Sequence, residues 1–291
     1  MSQSTSAARA LSCPKCRALN GADFDRCVRC GAALAQTAIA ADRIRGHADG
    51  ESLIGTKLVI GATTFVFALQ IADILASFGP QAISALLYAG SASNALRFGA
   101  ALLAPAYVAR EPWRLLSAVF VHYGFVHFVM NMLSAANLGR IAEPLVGSAR
   151  FIAAYLIAGL VGFMVTAIQV GLQGGSYGTT AGASGAVLGV LGVIIGFYVR
   201  RRDRRWRAYA MQALIYGVLF GFAVNASGLG VMINNSAHIG GLACGALFGF
   251  VYGGARPHRD IFANLLAGAC ILASILALAL AARSPVGIPS F

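Results

Sequence analysis

Apolar residues in this chain come in long runs broken by short polar knots, and not in the alternation of half-buried strands. A helix needs about 20 mainly apolar residues to cross the hydrocarbon core of a bilayer. Seven runs approach that length, near residues 57–78, 115–139, 150–173, 183–199, 208–229, 236–254 and 261–282. The connection 79–114 is too long for a plain turn and mixed in polarity, which predicts interfacial helices. The first fifty residues differ from the rest. They are polar, carry four cysteines, and hold no apolar core of a secretory signal before Lys57. The pattern predicts an all-α polytopic membrane protein preceded by a small soluble piece.

Composition supports that class. Of 291 residues, 58% are hydrophobic and 11% charged, where a soluble domain carries about 25% charged. The net charge of +12 raises nucleic acid as a partner, but the arginines sit in short loops between apolar runs. That distribution is a topology signal and argues against nucleic-acid binding. An inside N-terminus leaves Arg140, Arg150, Arg200, Arg201, Arg202, Arg204, Arg205, Arg207, Arg256 and Arg259 on the inner side. Only Arg97, Arg110, Arg114 and Arg283 then fall outside. The positive-inside rule therefore predicts a cytoplasmic N-terminus. Runs two, four and six then descend from the outer face. Ser184 and His238, at the heads of their runs, share the outer half of the membrane with His127.

Cys13, Cys16, Cys27 and Cys30 form two Cys-x-x-Cys pairs ten residues apart. Four thiolates so spaced can surround one zinc ion tetrahedrally. Gly31 suits the turn that aims backbone amides at a thiolate. A cytosolic position disfavours disulfides. So short a segment cannot build a sizeable core, so structural zinc would supply its folding energy. A closed four-cysteine shell leaves no open position for catalysis, which makes the ribbon a candidate docking or regulatory element for a protein partner. Leu34–Glu51 reads as a linker with Arg43, Arg45, His47 and Asp49 as its polar part, and Cys244 and Cys270 read as packing residues in apolar runs.

Polar side chains inside a membrane span are costly and must face the bundle interior or water. His127 and Asn131, four apart, share a helix face. His122, five residues before His127 on a continuous helix, would point elsewhere. Gly185 and Gly189, and Gly241, Gly245 and Gly249, form small-residue stripes that let two helix backbones approach closely. Both stripes begin at the polar pair Ser184 and His238. Asp73, near the outer end of the first run, reads as solvated or arginine-paired. The chain has no His-Glu-x-x-His for zinc proteolysis and no Gly-x-Gly-Asp for an aspartyl dyad.

Trp113-Arg114, the series His122, His127 and Asn131, the run Gly182-Ala183-Ser184-Gly185, and Ala237-His238 followed by Gly241 and Gly245 together resemble the rhomboid family of intramembrane serine proteases. The resemblance implies a six-helix rhomboid core plus one C-terminal transmembrane helix, behind a small zinc ribbon. Covering residues from about 57 to 254, and taken with the cysteine spacing, it predicts a cytosolic ribbon (1–34), a polar linker (35–56), the core (57–256), and a seventh helix with tail (257–291). It implies a serine endopeptidase cutting in or near transmembrane segments of membrane-protein substrates, with Ser184 as nucleophile and His238 as general base. His127 and Asn131 would join the Ser184 backbone N–H in an oxyanion hole. Gly182, Gly185, Gly241 and Gly245 would serve packing, and Trp113, Arg114, His122 and Glu143 would order the structure. No cofactor would serve catalysis. The setting would be a prokaryotic inner membrane with the site open to the outer face. Many relatives carry an aromatic four residues after the serine, stacked on the histidine; here Leu188 stands there. The alternative implied by the same likeness is an inactive membrane protein that binds clients without cutting them, and a transporter would instead show inverted repeats.

Overall fold

Two units make up the chain, Met1–Ser52 and Leu53–Phe291. The structure is a computed structural model and describes residues 11–21, 26–32, 34, 53–78, 92–175, 178–227, 232–254 and 260–284. The linker expected over 35–56 lies outside the described residues as far as residue 52, as do Arg256 and Arg259.

In the smaller unit, β1 (Leu11–Ser12) and β2 (Leu19–Asn20) pair antiparallel. Two turns of the same design carry the cysteines. The Cys13 amide donates to the Ala18 carbonyl at 2.9 Å, and the Cys27 amide to the Ala32 carbonyl at 2.7 Å. Arg17 and Gly31, each four residues after the first cysteine of its pair, adopt left-handed φ values of 61° and 67°. Glycine takes that conformation freely, whereas arginine is strained in it.

Among the described residues the larger unit is all-α apart from one two-strand pairing. Its elements are α1 (Ile54–Phe78), α2 (Ala92–Phe98), β3 (Ala101–Leu102), α3 (Pro105–Arg110) and α4 (Arg114–Ser117) with a 3₁₀ turn (Ala118–Phe120). Then come α5 (Gly124–Val146), α6 (Ser148–Leu172), β4 (Thr179–Thr180), α7 (Ser184–Arg200), α8 (Trp206–Ala226), α9 (Asn235–Gly254) and α10 (Ile261–Arg283). Helices α1, α6, α8, α9 and α10 are long and apolar enough to cross a membrane, and the bent pair Arg114–Phe120 with Gly124–Val146 forms a sixth such segment. Phe65, Leu133, Leu247, Phe262 and Leu272 are exposed on the bundle. Large apolar side chains outside and polar ones inside suit lipid as the solvent. The chain is an all-α, multi-pass integral membrane protein.

The second apolar run is not one helix. It bends by 89° at residues 121–123, so His122 precedes α5 and the helical-wheel argument that turned it away from His127 does not apply. The helix ends before the bend because Gly124, with φ 76°, opens the next one in a conformation that breaks the ladder. Helix α1 starts three residues earlier than the apolar run does. Its first amides, unpaired within any helix, are taken up from another helix: Gly55 and Thr56 amides both donate to the Glu143 carboxylate at 2.8 Å. The hydroxyls of Thr56 and Ser148 donate to it as well, each at 2.6 Å.

Helix α7 is the central element, with twelve of its 17 residues buried. At 1.5 Å per residue it is about 25 Å long, shorter than a hydrocarbon core of about 30 Å. A helix that short cannot reach both faces of such a core. Helix α9 runs against it at backbone contact. A Cβ added at Gly241 would lie 2.1 Å from the Gly185 carbonyl oxygen, and one at Gly245 1.8 Å from that of Gly189. From the other side, a Cβ at Gly192 would lie 2.2 Å from the Leu242 oxygen. Helix α10 is fastened to the start of α6 by Asp260, which caps it and meets the Arg150 guanidinium at 2.8 Å.

Candidate active site

A loop before α7 delivers Ser184, and neighbouring elements hold that loop. Strand β4 pairs with β3, Thr180 opposite Ala101 and Thr179 opposite Leu102. The Gly182 amide donates to the Ala118 carbonyl at 2.9 Å, and the Ala183 amide to His122 Nε2 at 3.3 Å. Gly182 has φ 131°, and a Cβ there would lie 2.7 Å from His127 Cε1. Only glycine lets the chain turn into α7 against the His127 ring.

His122 is fixed in turn by Gln70, a buried glutamine of α1 absent from the sequence reading. Its Nε2 donates to the His122 carbonyl at 3.2 Å and its Oε1 accepts the His122 amide at 3.1 Å. A polar residue in the first apolar run was the available signal, but its partner lies 52 positions away. On the same helix Asp73 accepts from Arg97 and Asn94, the arginine pairing expected from its position. Arg114 is buried, with its NH1 donating to the Leu96 carbonyl at 2.6 Å and the Ala100 carbonyl at 3.2 Å, and its Nε donating to Glu111. Trp113 precedes it at the start of α4.

Ser184 and His238 meet at the α7–α9 contact, with Ser184 Oγ 2.8 Å from His238 Nε2. The other ring nitrogen, Nδ1, is 3.0 Å from the Gly217 carbonyl on α8. A carbonyl only accepts, so Nδ1 carries the proton and Nε2 presents its lone pair to the serine hydroxyl. A hydroxyl bonded to a base that a third group orients is the arrangement of an activated nucleophile. The His127 ring lies 5.0 Å from that of His122 and stacks on Tyr123. Asn131 Nδ2 donates to the His127 carbonyl at 3.0 Å, which uses one of its two N–H groups. Leu188 packs against Gly217, its Cδ2 2.9 Å from the place of a Gly217 Cβ.

A polar knot at the head of α9 was also unforeseen. Asn234 Oδ1 accepts from the Thr166 hydroxyl at 2.8 Å and the Ala237 amide at 3.0 Å. Its Nδ2 donates to Thr180 Oγ1 at 3.1 Å. One side chain thus ties the serine loop, α6 and the histidine helix together.

In the smaller unit the four cysteine sulfurs all lie within 4.8 Å of one another and could hold a metal ion. Cys13 and Cys30 sulfurs are 3.5 Å apart, as are those of Cys16 and Cys27, too far for disulfides at about 2.05 Å. The Lys15 and Arg29 amides donate to the Cys13 and Cys27 sulfurs, each at 3.4 Å. Burial opposes ionisation of Cys27, but the amides of Arg29 and Cys30 and the sulfurs of Cys16 and Cys13 outweigh it and draw the thiol down to about 6. At Cys30 the Ala32 amide favours the thiolate, yet burial and the other three sulfurs push it up to about 12. Four sulfurs so close ionise together only around a cation.

The family model described as the Rhomboid domain matches residues 109–255, about half of the chain. RHOMBOID-like protein 4 of Arabidopsis thaliana is 34% identical over 172 residues, 51% of this chain and 40% of that protein. RHOMBOID-like protein 6, mitochondrial, of the same plant is 32% identical over 186 residues, 62% of this chain and 57% of the relative. Rhomboid protease GluP of Bacillus subtilis is 32% identical over 168 residues, 54% of this chain and 30% of the relative. The chain thus spans between about a third and somewhat over half of the length of these relatives. Its matched segment carries the bent pair, the serine loop, α7 and α9. The chain belongs to the rhomboid family.

Proposed function

We propose that this protein is an intramembrane serine endopeptidase that hydrolyses peptide bonds in or near the transmembrane segments of other membrane proteins. The reading rests on the 2.8 Å contact between Ser184 Oγ and His238 Nε2, below the surface of a lipid-facing bundle. The naming of the Bacillus subtilis relative as a protease supports it.

In this reading His238 Nε2 takes the Ser184 proton as Oγ attacks the substrate carbonyl, then delivers it to the leaving amine. The acyl-enzyme is released by water activated at the same nitrogen. The oxyanion develops at the N-terminus of α7, where backbone N–H groups lack helical partners and the helix dipole favours negative charge. The Ser184 amide, the His127 ring and the second N–H of Asn131 serve it; one such donor is worth about 3 kcal/mol. Gly185, Gly241 and Gly245 keep the backbones close, Gly182 turns the serine loop past the His127 ring, and Trp113, Arg114, His122 and Glu143 hold the surrounding elements. Water enters from the outer face and the N-terminus lies in the cytoplasm, as the arginine distribution requires. The four cysteines hold a structural Zn²⁺, whose preferred Zn–S distance of about 2.3 Å suits a sulfur cluster of this size. It supplies the smaller unit with folding energy and no chemistry.

The test is cleavage of single-span reporter substrates by the purified protein in liposomes, beside Ser184→Ala and His238→Ala. Cleavage lost in both variants supports the reading. Cleavage that persists in Ser184→Ala removes Ser184 as nucleophile.

A further inference from the structure

Helix α8 touches the rest of the bundle along one narrow line. Among its residues only Ala213, Gly217 and Gly221 are buried, four apart. Its flanks at Leu214, Ile215, Tyr216, Leu219, Phe220 and Phe222 are exposed, and just 17% of its apolar window is buried inside the protein, the least of the five long spans. The middle of that line is a π-helical segment, Ala213–Leu219. Such segments carry one residue more than the α-helix they interrupt and concentrate at functional sites. This one brings the Gly217 carbonyl to His238 Nδ1.

We infer that the Gly217 carbonyl is a positioning group of the site, fixing the tautomer and ring orientation of His238, so that the base is competent only while α8 is seated. The inference rests on the proposed Ser184–His238 reading and adds a third member to it. In hydrolases with a carboxylate third member, that group holds the imidazole in the tautomer that leaves Nε2 free. Here a peptide oxygen does so, at 3.0 Å. The opposite tautomer sets a nitrogen lone pair against a carbonyl oxygen inside a buried site, and the serine loses its acceptor. Leu188 explains why the carbonyl is needed. It stands one turn below Ser184, where an aromatic ring would brace the histidine, and it packs on the face of Gly217. Glycine leaves room for Leu188 there, since a Cβ would lie 2.9 Å from Leu188 Cδ2 and 3.2 Å from Cδ1 and the leucine side chain would have to shift.

The arrangement separates two duties. Backbone contact between α7 and α9 sets the distance from serine to histidine. Helix α8, held by a thin line of small residues, sets whether the histidine can accept a proton. A displacement of α8 by about 1 Å breaks a 3.0 Å hydrogen bond without parting α7 from α9. Whatever enters beside α8 therefore acts on the base directly.

A backbone acceptor is tested by changing the backbone. Replacing the Gly217–Val218 amide by an ester, with the hydroxy-acid analogue of valine introduced at 218, weakens the Gly217 carbonyl as an acceptor and alters no side chain. The same replacement between Leu219 and Phe220 is the control for the lost helix N–H. The readouts are the rate of Ser184 phosphonylation by a fluorophosphonate and the ¹⁵N signals of His238 in the full-length protein in lipid. The ester at 217–218 is expected to slow labelling about tenfold or more, the control less than about twofold. The ¹⁵N spectrum is expected to show a protonated Nδ1, in wild type and in Ser184→Ala alike. Equal rates for the two esters, or a His238 protonated at Nε2, overturn the inference. If the wild type does not react at all, the Ser184–His238 reading fails, and the ¹⁵N spectrum still decides the role of Gly217.

Discussion

Gly241→Ala asks whether backbone contact between two helices sets the reaction geometry. The new methyl would lie 2.1 Å from the Gly185 carbonyl oxygen and 2.8 Å from its carbon, whereas ordinary contact begins at 3.4 Å. The obstacle is helix backbone and not a side chain that can rotate away, so α9 must back off from α7 by about 1 Å. His238 lies three residues before Gly241, and Ser184 one before Gly185. The displacement therefore acts on the 2.8 Å contact itself and stretches it to roughly 4 Å, past hydrogen-bonding range. A misplacement of that size costs about 10²-fold in rate, and the overpacking costs about 1–3 kcal/mol of stability. Ser184 phosphonylation rate and thermal unfolding in detergent are measured together, with Gly61→Ala and Gly268→Ala as controls because a Cβ at either meets nothing within 4 Å. A folded Gly241→Ala protein that reacts within about threefold of the wild type refutes the idea that close approach governs the chemistry.

Three further outcomes follow from contacts elsewhere. Glu143→Gln turns an amide NH₂ toward donors that now converge on a carboxylate; it should cost about 2–4 kcal/mol, read as a lower unfolding temperature of the full-length protein. A strong chelator should release one zinc per chain and open residues 11–34 to limited proteolysis, and protection that persists without metal would exclude the zinc reading. The Arg150 guanidinium and the Ala263 amide hold the Asp260 carboxyl below the usual carboxylate range. A depressed folded value means the stabilisation is present above the unfolded carboxyl value of about 3.9 and disappears as pH falls through the folded one. Unfolding temperature should therefore drop on acidification below about pH 4, and Asp260→Asn should remove that limb of the profile.

Much of the fold was legible in the sequence because lipid imposes a simple rule: apolar runs of sufficient length become helices. That rule reads composition along the chain and is blind to a break made by geometry. Val121, His122 and Tyr123 interrupt the second run without a proline or a charge, and the bend is anchored by Gln70 from a different helix. The same blindness shortened the first helix. Its opening turn is capped by Glu143, 87 positions away from Thr56, so no local cap could announce it. The two cysteine turns show the opposite case. There Gly31 signals its left-handed turn openly, while Arg17 occupies the matching position and conceals it.

The candidate site divides along the same line. Ser184, His238 and the glycine stripes were readable because each is an exception to its surroundings: a polar group, or a missing side chain, inside an apolar run. Gly217 could not be read that way, since its contribution is a carbonyl that every residue possesses. Its importance arises from a π-helical turn that no residue type encodes and from Leu188, whose significance in the sequence was only the absence of a ring. The two meet at one place: Leu188 packs at Gly217, and the Gly217 carbonyl reaches His238 Nδ1 at 3.0 Å. A site assembled at helix–helix contacts depends as much on what the interface omits as on the side chains it presents. Hence a single methyl group added at Gly241 is predicted to slow the reaction about 10²-fold without touching either reacting side chain.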